Sequence, residues 1–227
     1  MSKREPLFSS KVLRNILRGE HDSGVVPPQA AVAAIDHWIG QLRRGVLNEL
    51  SESSAEQTFN NKIFGTVLGY TQIGQAVEAT LLPKRAGPSG RGAPDFVLGR
   101  FDLTAGVEEW AAVGEIKNAK TDLDQPQVGR ANSETPVEQG FRCATKGKPG
   151  VEWIIVTNLR EVRLYKNGYA GAYHYWNLEQ FEDRERLFDF YALLRPEGLL
   201  DKGRLSVAIS KLHFSWTRPH RRLLCTV

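Results

Sequence analysis

The chain has 227 residues, 41% of them hydrophobic and 25% charged, with a formal net charge of +4. This is an ordinary globular composition, enough for one domain with a real core, and it excludes general disorder. The mild basic excess suits a nucleic-acid partner without establishing one. Two cysteines, Cys143 and Cys225, cannot form a disulfide framework, so a reducing, cytoplasmic setting is expected. The opening MSKREPLFSS leads into no apolar segment, so no secretion signal is read, and no run reaches the ~20 apolar residues of a membrane span.

In chain order, the first clear element follows Pro27-Pro28. Val32, Ile35, Trp38, Ile39, Leu42, Val46 and Leu50 recur at three- to four-residue spacing, which predicts an amphipathic helix from Gln29 to Leu50. A second helix is expected from Ser53 or Ser54, with Ser54 and Gln57 as a capping box and a stop near Gly69. On it Glu56 and Asn60 stand four apart and so project to nearly the same side.

From Gln75 the rhythm changes to alternation, and Val77, Ala79 and Leu81 predict a strand. The loop KRAGPSGRG follows. The runs PDFVLG from Pro94 and Val107 through AAVGEIKNA then read as antiparallel strands about a turn at Thr104 to Gly106. The polar stretch from Lys120 to Thr135 is long enough to be a functional or mobile loop. Pro136 opens a short helix through Ala144. VEWIIVT is apolar throughout, as a central strand is, whereas EVRLYKNG and AYHYWNL read as an edge hairpin. A last helix is expected from Glu179 to Leu194, with Phe181, Leu187, Phe188 and Tyr191 inward.

The expected fold is α/β, a mixed central sheet flanked by helices. Residues 1–50 read as an N-terminal helical segment packing on a core of residues 51–195. Residues 196–227 form a patternless tail, read as truncated or frameshifted.

The chemistry concentrates on two strands. Asp95 heads one, Glu115 ends the next, and Lys117, two residues on, points to the same face as Glu115. Two carboxylates on one sheet face repel unless a cation compensates. Magnesium favours hard oxygen ligands and keeps several waters, so Asp95, Glu115 and the Ile116 carbonyl are the expected metal ligands. The metal would polarise a phosphate oxygen while Lys117 orients or deprotonates the attacking water. Glu115-Ile116-Lys117 is the sole acidic-x-Lys match in the chain, where about one is expected by chance. Its weight comes from ending an apolar strand, with Pro94-Asp95 about 20 residues upstream. The bland alternative is a solvated Glu–Lys strand face.

EQTFNNKIFGTVLGY from Glu56, RGAPDFVLG from Arg91, GEIKNAKTDLD from Gly114, and VEQGFRCATKGKPGVEWIIVTNLREVRLY from Val137 give the chain a wider likeness. It resembles the N-terminal nuclease region of type IIG restriction-modification enzymes, over roughly residues 1 to 195. The resemblance implies a PD-(D/E)xK restriction-endonuclease-like fold and Mg2+-dependent cutting of double-stranded DNA. It adds Glu56 as a further acidic residue, binding metal through water or holding Lys117, and Gln139 as an accessory polar residue. In related nucleases that glutamine is often followed four residues later by tyrosine; here Cys143 stands there. A helix-surface role for Glu56 and a capping or surface role for Gln139 stay open.

Nothing resembles the methyltransferase half of such enzymes, so a methyltransferase or specificity partner, or a fused domain, is expected elsewhere. Cutting both strands makes transient homodimerisation plausible. Arg85, Arg91, Arg130, Arg142, Lys146 and Lys148 are candidates for phosphate contact or plain surface charge. Trp153, Tyr165, Tyr173, Tyr175 and Trp176 read as sheet packing, and His21, His37, His174, His213 and His220 have no zinc spacing. The alternatives to an enzyme are a non-catalytic DNA-binding or assembly module and an inert remnant of a larger gene.

Overall fold

The computed structural model describes residues 5–84, 93–127, 133–201 and 205. The segment 85–92, with Arg85 and Arg91, lies outside the described residues, as do Arg130, His213, His220, Cys225 and most of the tail.

Six strands form a mixed sheet: β2 (Ala79–Pro83), β3 (Phe96–Asp102), β4 (Val107–Ile116), β5 (Trp153–Thr157), β6 (Glu161–Lys166) and β7 (Tyr169–Asn177). They lie side by side in sequence order, and a two-residue strand β1 (Glu5–Pro6) adds parallel to β7 at the far edge. Every other neighbouring pair is antiparallel except β4 and β5, which run parallel. That pairing requires a crossover, and the connection carries helix α4 (Pro136–Lys146). The mixed α/β architecture expected from the sequence, restriction-endonuclease-like at this coarse level, is the one found. Strand β5 is buried at all five positions, as a central strand must be.

Strand alternation sends side chains to two cores. On one face Phe96, Leu98, Ala112, Ile116 and Ile155 pack with Ile35, Trp38, Phe59 and Phe64 of the helices before the sheet. On the other, Val97, Val113, Ile154 and Val156 meet Val137 and Ala144 of α4. Trp38 Nε1 also donates to the Leu159 carbonyl at 3.0 Å, tying the early helices to the β5–β6 turn.

Helix boundaries depart from the periodicity in instructive ways. A helix the apolar spacing already marks, α1 (Ser10–Asp22), precedes the first one expected; Val12, Leu13, Ile16 and Leu17 pack its half-buried stripe against the core. Its N-cap Ser9 accepts from the Val12 N–H. Helix α2 (Gln29–Arg43) stops short of Leu50 because Gly45 takes a φ of 74°, and Val46–Glu49 follows as a 3-10 turn. Helix α3 (Glu52–Phe59) starts earlier than expected. Its cap is Ser51, which accepts from the Ser54 N–H, and not the Ser54–Gln57 box. It then widens into a π-helical stretch, Asn60–Val67, and ends at Gly69 as expected.

Strand β2 begins two residues after Val77, which is 83% exposed. Downstream, Leu178–Gln180 is a 3-10 turn and α5 spans Arg184–Leu194, followed by α6 (Pro196–Leu199). Phe181 and Leu187 are buried as expected, but the inward aromatic of α5 is Phe190; Phe188 and Tyr191 are half-buried. No described helix is long and apolar enough to cross a membrane.

Candidate active site

Three elements end at one place: the residue before β3, the end of β4 with the residue after it, and the N-terminal turns of α3. Asp95 is fixed by the backbone of β4 on both sides of Glu115. Its N–H donates to the Gly114 carbonyl at 2.9 Å, and its Oδ2 accepts the Ile116 N–H at 2.8 Å. Ile116 therefore enters the site through its amide, whereas the sequence pointed to its carbonyl. Gly114 permits this packing, since a β-carbon there would lie 1.9 Å from the ring of Phe96.

Glu115 is fully buried and makes an ion pair with Lys117, itself 3% exposed. Lys117 also reaches Glu52 Oε1 at 2.7 Å. Its backbone N–H bonds the Thr157 carbonyl of β5 at 2.8 Å, which sets where the side chain starts. Burial alone would lower the Lys117 pKa, but the Glu115 and Glu52 carboxylates outweigh it and hold the ammonium above its ordinary value. Asp95 is shifted the other way for a carboxylate. Burial pushes its pKa up to about 6, and Glu56 and Glu52 add to the rise, against the Ile116 hydrogen bond and Lys117.

Glu56, 8% exposed, does not hold Lys117. Its partner is Lys84, at 2.8 Å. The residue on α3 that holds Lys117 is Glu52, four positions earlier and so on the same helix side. That spacing was the signal by which it could have been found. Lys84 was also missed. It closes β2 with a positive φ of 41°, its N–H bonded to the Asp95 carbonyl at 2.9 Å. No periodicity marks a lysine for that conformation.

Gln139 lies on the buried side of α4, where its Oε1 accepts from Gln127 Nε2 at 3.4 Å. The helix is started by a full capping box of Thr135 and Glu138. Cys143, one turn on from Gln139, is 1% exposed. Burial first, then the Glu115 carboxylate, pushes its thiol up to about 11. Cys143 is thus an inert neighbour of the cluster.

The expected long loop is held in its first half. Asn158 Nδ2 donates to the Thr121 carbonyl, Arg160 Nε to the Ala119 carbonyl, and Arg163 pairs with Asp124 at 2.9 Å. Of the basic candidates, Arg142 is paired with Glu134 and Lys148 with Glu108, while Lys146 is exposed at the end of α4. Trp153, Tyr165 and Trp176 are buried in the sheet packing expected of them, Tyr173 is partly buried, and Tyr175 is 45% exposed.

Among the described residues no three His, Cys, Asp or Glu side chains are gathered as a metal-holding group. The ligand set considered is smaller: two carboxylates and one carbonyl, with water completing the shell, which is how magnesium is commonly held. The charge balance fits it. Glu52, Glu56, Asp95 and Glu115 face Lys84 and Lys117, leaving two formal negative charges among the described groups of the cluster. A dication would neutralise them. Compared with models of known protein families, with curated proteins and with solved structures, the chain matches none.

Proposed function

We propose that the chain is a Mg2+-dependent, restriction-type endonuclease that hydrolyses phosphodiester bonds in double-stranded DNA. The observation that carries this reading is the clamp of Asp95 around Glu115, with Lys117 and Glu52 in the same cluster at the strand ends. Asp95, Glu115 and the Ile116 carbonyl are the groups that would hold the metal. Bound there, Mg2+ supplies a Lewis acid for a phosphate oxygen and for the charge that develops on the departing 3′ oxygen. Lys117, kept an ammonium by its carboxylate neighbours, serves as a donor that orients a water or phosphate oxygen rather than as a base. Glu52 positions that ammonium. Gln139 and Glu56 are supporting groups, and Lys84 ties Glu56 to the end of β2.

The type IIG resemblance extends the proposal to a restriction-modification setting, with recognition and methylation supplied by a partner or fused domain. Two copies would pair transiently to cut both strands.

Plasmid nicking with and without Mg2+, with Lys117→Ala alongside, tests the reading. Metal-dependent nicking abolished by the substitution supports it. Metal-independent DNA binding without nicking points instead to a non-catalytic module, the reading favoured by the closed ion pairs around Lys117. Neither binding nor nicking points to an inert remnant.

A further inference from the structure

A cavity of about 340 Å3 adjoins the cluster on the α3 side, and its lining differs in kind from the site beside it. Amide side chains dominate it: Gln57, Asn60, Asn61 and Gln72, with the ring of Pro83 at one side. The charged groups lining it, Glu56 and Lys84, neutralise each other across a 2.8 Å ion pair. The cavity therefore carries no net charge and mixes apolar surface with amide donors and acceptors, which suits an uncharged ring with polar groups on its edge rather than a phosphate.

Two further observations mark it as a built feature. Asn60 is 4% exposed, yet its Oδ1 has no hydrogen-bond partner, an arrangement that ordinarily costs about 1–3 kcal/mol. The backbone there is also irregular. Asn60 opens the π-helical stretch of α3, a distortion frequent at functional sites, and Lys84 on the opposite side holds its left-handed conformation. Gln72 is already oriented, its Nε2 donating to Asn61 Oδ1 at 2.7 Å.

We infer that this cavity is a nucleobase subsite: it takes one unstacked base of the DNA strand next to the cut, read by the amides of Gln57, Asn60 and Gln72. The inference rests on the nuclease reading for what brings DNA to the site, but not for the recognition itself. Paired donor and acceptor groups of carboxamides match the edges of bases, and enzymes that draw a base out of the stack hold it in such a pocket.

The test is a titration of the full chain, without metal, with each of the four neutral deoxynucleosides, following the side-chain amide resonances of Gln57, Asn60, Asn61 and Gln72. Deoxyribose 5-phosphate is the comparison probe. Saturable shifts of these amides with at least one deoxynucleoside, weakened roughly tenfold by Gln57→Ala at the exposed wall, are the expected result. Absence of saturable shifts, or equal shifts with the sugar phosphate, overturns the subsite. Glu115→Gln should keep the shifts while abolishing nicking, so the loss of either property is read apart from the other.

Discussion

Glu52 and Lys117 stand 65 positions apart in the chain and 2.7 Å apart in the fold, joined at the point where α3 meets the end of β4. Glu52 is half-exposed and Lys117 is buried, so the pair joins solvent to the fully buried Glu115. The two carboxylates do different work. Glu115 pairs with the ammonium inside the core, whereas Glu52 fixes where that ammonium sits.

Removing the cation should therefore destabilise the protein. Lys117→Met takes from buried Glu115 the ammonium it pairs with, which costs about 3 kcal/mol in urea unfolding without metal. Mg2+ should restore part of that loss, since it offers Glu115 another positive neighbour. Nicking should fall at least about 100-fold whatever the metal concentration. A stable, fully active variant would remove Lys117 from the proposed chemistry.

Glu52→Gln separates positioning from folding. The exposed partner contributes little to stability, less than about 1 kcal/mol. Its loss should lower the nicking rate roughly tenfold, as for groups that orient a reacting residue. Glu52→Asp should recover less than half of it, because the shorter side chain cannot reach the ammonium in the same place. A variant as active as the parent would make Glu52 a surface group.

Asp95 carries a pH signature. Its carboxyl is raised to about 6 by burial and the neighbouring acids, above the roughly 3.9 of an unfolded chain. A raised folded-state pKa means that the protonated form is favoured by folding. That contribution is fully present below about pH 4 and is lost as pH rises through about 6. Metal-free Asp95→Asn should lack this decline and be about 1–3 kcal/mol more stable than the parent at pH 7.5. At that pH Mg2+ should raise the parent's melting temperature and leave the variant's unchanged. Parallel stability–pH curves for the two proteins would contradict the assignment.

How far the sequence carries can be judged from these same residues. Glu115 and Lys117 were legible because strand period two sets both on one face, and Asp95 because a Pro-Asp pair headed the neighbouring strand. The antiparallel pairing of β3 with β4 and the hairpin of β6 with β7 follow from apolar runs and turns, whereas the parallel pairing of β4 with β5 does not. What escaped is tertiary. Ionic partners depend on how a helix is docked, so holding Lys117, one of the roles open to Glu56, falls to Glu52. The left-handed Lys84 and the π-helical widening at Asn60 answer to local packing that periodicity does not encode. Gly45 ended α2 by its backbone conformation although the apolar spacing ran on to Leu50.

A pair of glycines tests the scaffold under the site. A β-carbon at Gly114 would lie 1.9 Å from the Phe96 ring, which is fully buried and lies 4.4 Å from the Phe64 ring at a 48° tilt. That ring has no room to retreat, so Gly114→Ala should cost about 3 kcal/mol or more by overpacking and disturb the Asp95 hydrogen bond to the next residue but one. Gly19, inside α1, meets nothing within 4 Å. Gly19→Ala should therefore stabilise by about 0.5–1 kcal/mol through helix propensity. Thermal unfolding of the two variants beside the parent reads both effects, and equal melting temperatures for all three would mean that β3 and β4 are not packed this closely at the candidate site.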